Sequence, residues 1–168
     1  LGRRRIRHVG GPLQDGMDFG AHALRAKGFR AAMADAGLPC DSDAVVTTEL
    51  NMAGGNAAGL DALADPRSRP PAILAGSDEV AFGAILAARQ LGILVPSQLS
   101  VIGIDGHELG EFFQLTTVDQ FPLGQGERAV DAILAELEPA PHDTAVADPH
   151  RALPFELVVR GTTSRVDS

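Results

Sequence analysis

Four short apolar runs, spaced by segments of helical composition, restrict the fold of this chain more than any other feature. Ile6 to Gly10, Ala44 to Glu49, Ala72 to Gly76 and Leu99 to Ile104 read as strands, each stopping at a charged or turn residue. Between them lie Asp18 to Ala36, Gly55 to Ala64 and Asp78 to Leu91, which read as helices. Gly37-Leu38-Pro39 stops the first helix, Ser77 is placed to cap the third, and Gly92 ends it. Strands and helices alternating at these spacings require parallel crossovers, so the expected fold is α/β, a parallel sheet with helices on both faces.

The pattern loosens after Asp105. Thr116-Thr117-Val118 is strand-like, a helix is expected from Pro122 to Glu138, Pro139 to Pro149 is a polar loop, and Leu153 to Val159 reads as a final strand. The late helix carries Leu123, Val130, Ile133, Leu134 and Leu137 at helical spacing, a stripe that something must cover.

A length of 168 residues with 45% hydrophobic content suits one domain with a core. No apolar stretch approaches the roughly 20 residues of a membrane helix, and the start of the chain lacks the apolar region of a signal peptide. The lone Cys40 cannot form an internal disulfide, which makes a reducing cytoplasm the expected compartment. A net charge of -8 argues against direct contact with nucleic acid, since phosphates demand a dense basic face. The one basic run, Arg3 to Arg7, enters the first strand and reads as a solvated strand entrance.

Val101-Ile102-Gly103-Ile104-Asp105-Gly106 is a buried-strand pattern that delivers an acid to the carboxyl edge of the sheet. Open α/β sheets bind ligands at that edge. The other strand ends put Gln14-Asp15, Leu50-Asn51 and Ser77-Asp78 on the same rim. Such donors and acceptors suit a small polyhydroxylated ligand, with Arg25 able to supply a planar fork if the first helix starts over the rim. The plainer alternative is that Ser77 and Asp78 only cap a helix and Asp105 only begins a turn.

Catalytic motifs are poorly matched. Gly54-Gly55-Asn56-Ala57-Ala58-Gly59 lacks the spacing of a dinucleotide loop. Asp105 could be compared with a phosphatase nucleophile, but that motif has a second acid two residues on, where this chain has His107. His142, Asp143, Asp148 and His150 lack the spacing of a metal site and read as solvated loop residues. No enzyme activity, cofactor or metal is expected.

The ordered set of motifs resembles the effector-binding domain of transcription regulators of the lactose-repressor and galactose-repressor family. It comprises Gly2-Arg3-Arg4-Arg5-Ile6, Gly10-Gly11-Pro12, Lys27-Gly28-Phe29-Arg30-Ala31-Ala32, Ala36-Gly37-Leu38 and Gly76-Ser77-Asp78-Glu79-Val80-Ala81-Phe82-Gly83-Ala84. Leu91-Gly92-Ile93-Leu94-Val95-Pro96, Ser100 to Asp105, Leu115 to Gln120 and Glu156 to Arg160 complete it. The resemblance implies a periplasmic-binding-protein-like, three-layer fold, of which this chain is the C-terminal portion. Residues 1–121 and 152–168 would form the C-terminal subdomain, 122–138 a helix crossing to an N-terminal subdomain, and 139–151 a loop. It further implies that Asp105 and Arg25 grip a small effector, a sugar or related metabolite, in a ligand-responsive repressor, with Ser77, Asp78, Leu50 and Gln14 around them. Leu50 stands near a position that elsewhere carries a stacking aromatic, and the chain has no Trp or Tyr. Operator DNA would be bound only by a separate helix-turn-helix domain. Self-association, as a homodimer or larger, is expected through the Leu123, Val130, Ile133, Leu134 and Leu137 stripe or through Val80 and Ala84 on the third helix. A periplasmic sugar receptor is the alternative that shares this fold, and an Asp-dependent phosphatase a more remote one.

Overall fold

The computed structural model describes residues 2–12, 20–137 and 152–165. Six strands form one sheet in the order β2-β1-β3-β4-β5-β6, where β1 is Ile6–Gly10, β2 Val45–Thr47, β3 Ala72–Ala75, β4 Ser100–Asp105, β5 Thr116–Asp119 and β6 Glu156–Val158. The first five are parallel, and β6 pairs antiparallel with β5, Val118 opposite Leu157. The helices are α1 (Ala21–Asp35), α2 (Met52–Leu63), α3 (Asp78–Gln90) and α4 (Pro122–Leu137). The expected α/β architecture is present: β1 has its expected bounds, β2, β3 and β6 are shorter than their apolar runs, and β4 is shifted by one residue.

Strand alternation splits the core in two. Val9, Ile73, Ala75 and Val101 face α2 and α3 and join Leu63, Val80, Phe82, Leu99 and Leu115 in the main cluster. On the other face, Ile6 and Leu74 meet Phe29 and Met33 of α1. That second face is only partly covered: an apolar cavity of about 570 Å³, lined by Ile6, Phe29, Met33, Leu74 and Ile102 among others, opens beside α1. Helices thus lie on both faces as expected, the cover beside α1 being thinner than that by α2 and α3.

The glycine-rich run resembling a nucleotide loop is the interior of α2. The Val80 backbone stands where a side chain on Gly55 would project, and the Met52 carbonyl does the same for Gly83 of α3. Glycine on both sides lets the two helix backbones approach closely, with Gly59 against Ala84 and Ala87. Asn51, expected at the ligand rim, caps α2 by accepting from the Gly54 N–H at 2.7 Å, so the helix begins earlier than its alanine-rich stretch indicated.

Val80 and Ala84 need correction as interface candidates. Both are fully buried inside the chain, packed between α3, α2 and the sheet, and offer nothing to a partner. The stripe on α4 is different: Leu123 is 79% exposed and Leu137 75%, with Val130, Ile133 and Leu134 more than half exposed. Among the described residues no helix is long and apolar enough to cross a membrane.

The C-terminal segment is tied back into the core by Thr162. Its hydroxyl donates to the Val101 carbonyl at 2.7 Å and accepts from the Thr116 N–H at 2.9 Å. Satisfying both groups with one side chain anchors the segment across β4 and β5.

Candidate ligand-binding rim

The carboxyl ends of β3 and β4 converge with the start of α1. Helix α1 follows Gly20, whose φ of 79° is a left-handed conformation open to glycine, and its second turn lays Arg25 over the sheet edge. Arg25 Nη1 donates to the Gly76 carbonyl at 2.7 Å, and Nη2 lies 3.6 Å from Asp105 Oδ1. The two side chains remain 25% and 43% exposed, so their remaining hydrogen-bonding capacity faces solvent.

Asp105 ends β4 with φ of 136°, followed by Gly106 at 77°. A non-glycine residue in this region is held against its preference, a pattern that concentrates at functional sites. Burial pushes the Asp105 carboxyl above the ordinary carboxylate value, while Arg25 and the Asp78 backbone N–H pull the other way. Gln120 Nε2, just beyond β5, donates to Asp105 Oδ1 at 2.9 Å, and Gln125 Nε2 donates to the Gln120 carbonyl at 2.8 Å. Gln120 was missed as a site residue in the sequence, although its place after the strand paired with β4 was a usable signal.

The other candidates divide. Leu50 is half-buried and borders Gly11 beside His22, on the rim at the end of β1. Ser77 is 9% exposed and its hydroxyl accepts from the Val80 N–H at 3.3 Å, the capping duty of the plainer reading. Asp78 is fully buried, which corrects its place among ligand-contacting residues: Oδ1 accepts from Thr117 Oγ1 at 2.6 Å and Oδ2 from the His107 N–H at 2.7 Å. Gln14 lies outside the described residues, as do His142, Asp143, Asp148 and His150. Among the described residues no cluster of three His, Cys, Asp or Glu could hold a metal. The apolar cavity beside α1 includes none of Arg25, Ser77 or Asp105 and is separate from this rim.

Chemically, the rim pairs a fixed cationic fork with a carboxylate and an amide. An uncharged polyol satisfies both charges at once, its hydroxyls donating to Asp105 and accepting from Arg25. Nothing in the arrangement supplies a nucleophile with an adjacent base.

The family model described as periplasmic binding protein-like domain matches residues 1–163. The chain is 31% identical over 145 residues to the HTH-type transcriptional repressor PurR of Vibrio vulnificus (strain CMCP6), covering 85% of this chain and 42% of that protein. It is 37% identical over 135 residues to the ribose operon repressor of Escherichia coli (strain K12), covering 79% and 39%. Among solved structures, a regulatory protein of the LacI family from Chloroflexus aggregans superposes with a TM-score of 0.81 at 28% identity, covering 97% of this chain and 56% of that one. The chain thus spans about two fifths of the length of these curated relatives. By the family model, its relatives and its fold, the chain belongs to the periplasmic binding protein-like domain family, in the branch represented by the LacI-family regulators.

Proposed function

We propose that this chain is the C-terminal half of the effector-binding domain of a ligand-responsive transcription repressor, and that its rim binds a small polyhydroxylated metabolite of the sugar class. One observation carries the reading: Arg25 and Asp105, far apart in sequence, meet at the carboxyl edge of the sheet without saturating each other. The Gly76 carbonyl and the Gln120 amide orient the pair, Ser77 follows Gly76 in the chain, and Leu50 lies on the rim by Gly11. Preorganised, partly exposed charges of this kind are what a neutral polar ligand needs to displace water.

The remaining wall of the cleft belongs to a second subdomain. Support comes from α4, whose exposed apolar stripe is suited to cross and pack against such a body. Effector binding at the rim would change the relative angle of the two subdomains and, through it, the affinity of a separate helix-turn-helix domain for operator DNA. The acidic charge of this chain agrees with DNA contact lying elsewhere. The regulator acts in the cytoplasm as a homodimer, catalyses nothing and needs no cofactor.

Calorimetry on the full-length protein with a panel of pentoses, hexoses and disaccharides tests the proposal. One sugar should bind, and Asp105→Asn and Arg25→Ala should each weaken its binding by about tenfold or more. Unchanged affinity in both variants overturns the assignment.

A further inference from the structure

Asp78 is a carboxylate with no exposure at all, on the first turn of α3, and its two oxygens reach two other elements. Thr117 on β5 donates to Oδ1, and the backbone N–H of His107, two residues past Asp105, donates to Oδ2. Space for this group is made by Gly103 on β4, because a Cβ there would run into Asp78 Oδ1. Burying a carboxylate is costly unless it is fully hydrogen-bonded, and these two short bonds together with the helix N-terminus offset that cost. An apolar side chain would fill the same space without that expense, so the acid serves something besides packing.

What it holds is the turn carrying the rim acid. Asp105 and Gly106 both have positive φ, a backbone path that needs an external restraint, and the His107 N–H bond to Asp78 closes over it. We propose that Asp78 is a positioning residue of the binding rim: its buried carboxylate locks the Asp105-Gly106-His107 turn to α3 and β5 and thereby aims the Asp105 carboxylate. This rests on the reading of Asp105 as the acid that meets the effector. Asp78 itself touches no ligand. His107 extends the restraint, its ring lying edge-on to Phe82 of α3 with centroids 5.6 Å apart.

The test uses the 168-residue chain without ligand. Carbon-detected NMR follows the Asp105 carboxyl through its titration, together with the Gly106 and His107 amides. Thr117→Val, which removes one donor, should move the Asp105 midpoint and shift both amides, and Thr117→Ser should restore them. Asp78→Asn lowers the Asp105 midpoint by loss of charge alone, so in that variant the Gly106 and His107 amides are the readout, and both should shift. In the unaltered chain, the His107 amide should exchange with solvent far more slowly than the exposed amide of Glu108. A folded Thr117→Val with an unmoved Asp105 midpoint, together with unmoved Gly106 and His107 amides in it and in folded Asp78→Asn, overturns the proposal, showing Asp78 to be structural only. Should neither variant fold, exchange of the His107 amide at the rate of Glu108 overturns it. Failure of the binding reading is seen separately, as unchanged sugar affinity of Asp105→Asn in the full-length protein, and leaves these NMR outcomes intact.

Discussion

The Asp78 carboxylate occupies the volume that a side chain at Gly103 would need. Leu115 Cδ2 and Asp78 Cα close the same space at 3.0 and 3.2 Å, and Asp78 cannot retreat without giving up Thr117 or His107. Gly103→Ala should therefore destabilise the domain by about 1–3 kcal/mol, the range for overpacking a filled core. Urea denaturation checks this: the midpoint should fall with little change in slope.

Gln120 should matter to binding, although less than Arg25 or Asp105. Its neutral amide orients the Asp105 carboxylate and carries no charge of its own, whereas Arg25 and Asp105 offer charged groups to a ligand. Gln120→Ala should weaken sugar affinity by about fivefold and Arg25→Ala by about tenfold or more, following the difference between neutral and charged hydrogen bonds. Titration calorimetry on the full-length protein separates the two. Equal affinities for Gln120→Ala and the parent would show the amide to be idle.

Two titratable groups, Asp105 partly buried and His8 almost wholly so, give stability opposite responses to pH. Burial raises the Asp105 carboxyl above its ordinary 3.8, so on raising the pH the unfolded chain loses that proton first. Native stability from this group is thus lower above the raised native value and recovers below 3.8. Asp105→Asn should accordingly be more stable than the parent at pH 7, and the advantage should vanish near pH 3, as measured by urea unfolding at both.

His8 works in the other direction. It is 2% exposed, its Nδ1 lies 3.0 Å from the Leu74 carbonyl, and its ring stacks on Phe29 at 5.6 Å. Burial lowers its value from 6.5, so on acidification the unfolded chain takes up the proton first and stability falls from about pH 6.5 down to the lowered native value. Proton NMR should find the His8 midpoint below 6.5, and His8→Phe should remove this part of the acid sensitivity.

The stripe on α4 should make the isolated chain self-associate. Leu123, Val130, Ile133, Leu134 and Leu137 leave a continuous apolar face in water. Light scattering should show mass rising with concentration, and the double variant Ile133→Glu, Leu137→Lys should hold the chain monomeric. A monomeric parent at high concentration removes the stripe as an association surface.

Helix ends were readable in advance because they depend on near neighbours. Gly37 and Gly92 take φ of 62° and 67°, and the following residues close the helices by Leu38 N–H to Met33 and Ile93 N–H to Ala88 bonds. The start of α2 was misplaced because Asn51 was read as a rim residue, whereas its side chain accepts from the Gly54 N–H and caps the helix. Val80 and Ala84 were misjudged for a nonlocal reason: a small, apolar helix face looks the same whether it meets a partner or another helix of its own chain. Here α2 takes it, through Gly55 and Gly59.

Asp78 and Glu79 show where the two kinds of information divide. Neighbouring acids in the first turn of one helix are equivalent by sequence, yet Glu79 is exposed and Asp78 is wholly buried. Sequence by itself determined the alternation of strands and helices, the helix stops, and the delivery of Asp105 to the carboxyl edge, since periodicity and capping act within a few residues. Only the tertiary structure decided the strand order β2-β1-β3-β4-β5-β6, the meeting of Arg25 with Asp105 and the burial of Asp78 against Thr117 and His107. Those relations join residues distant in the chain, and their energies exist only once the closed fold excludes water from around them.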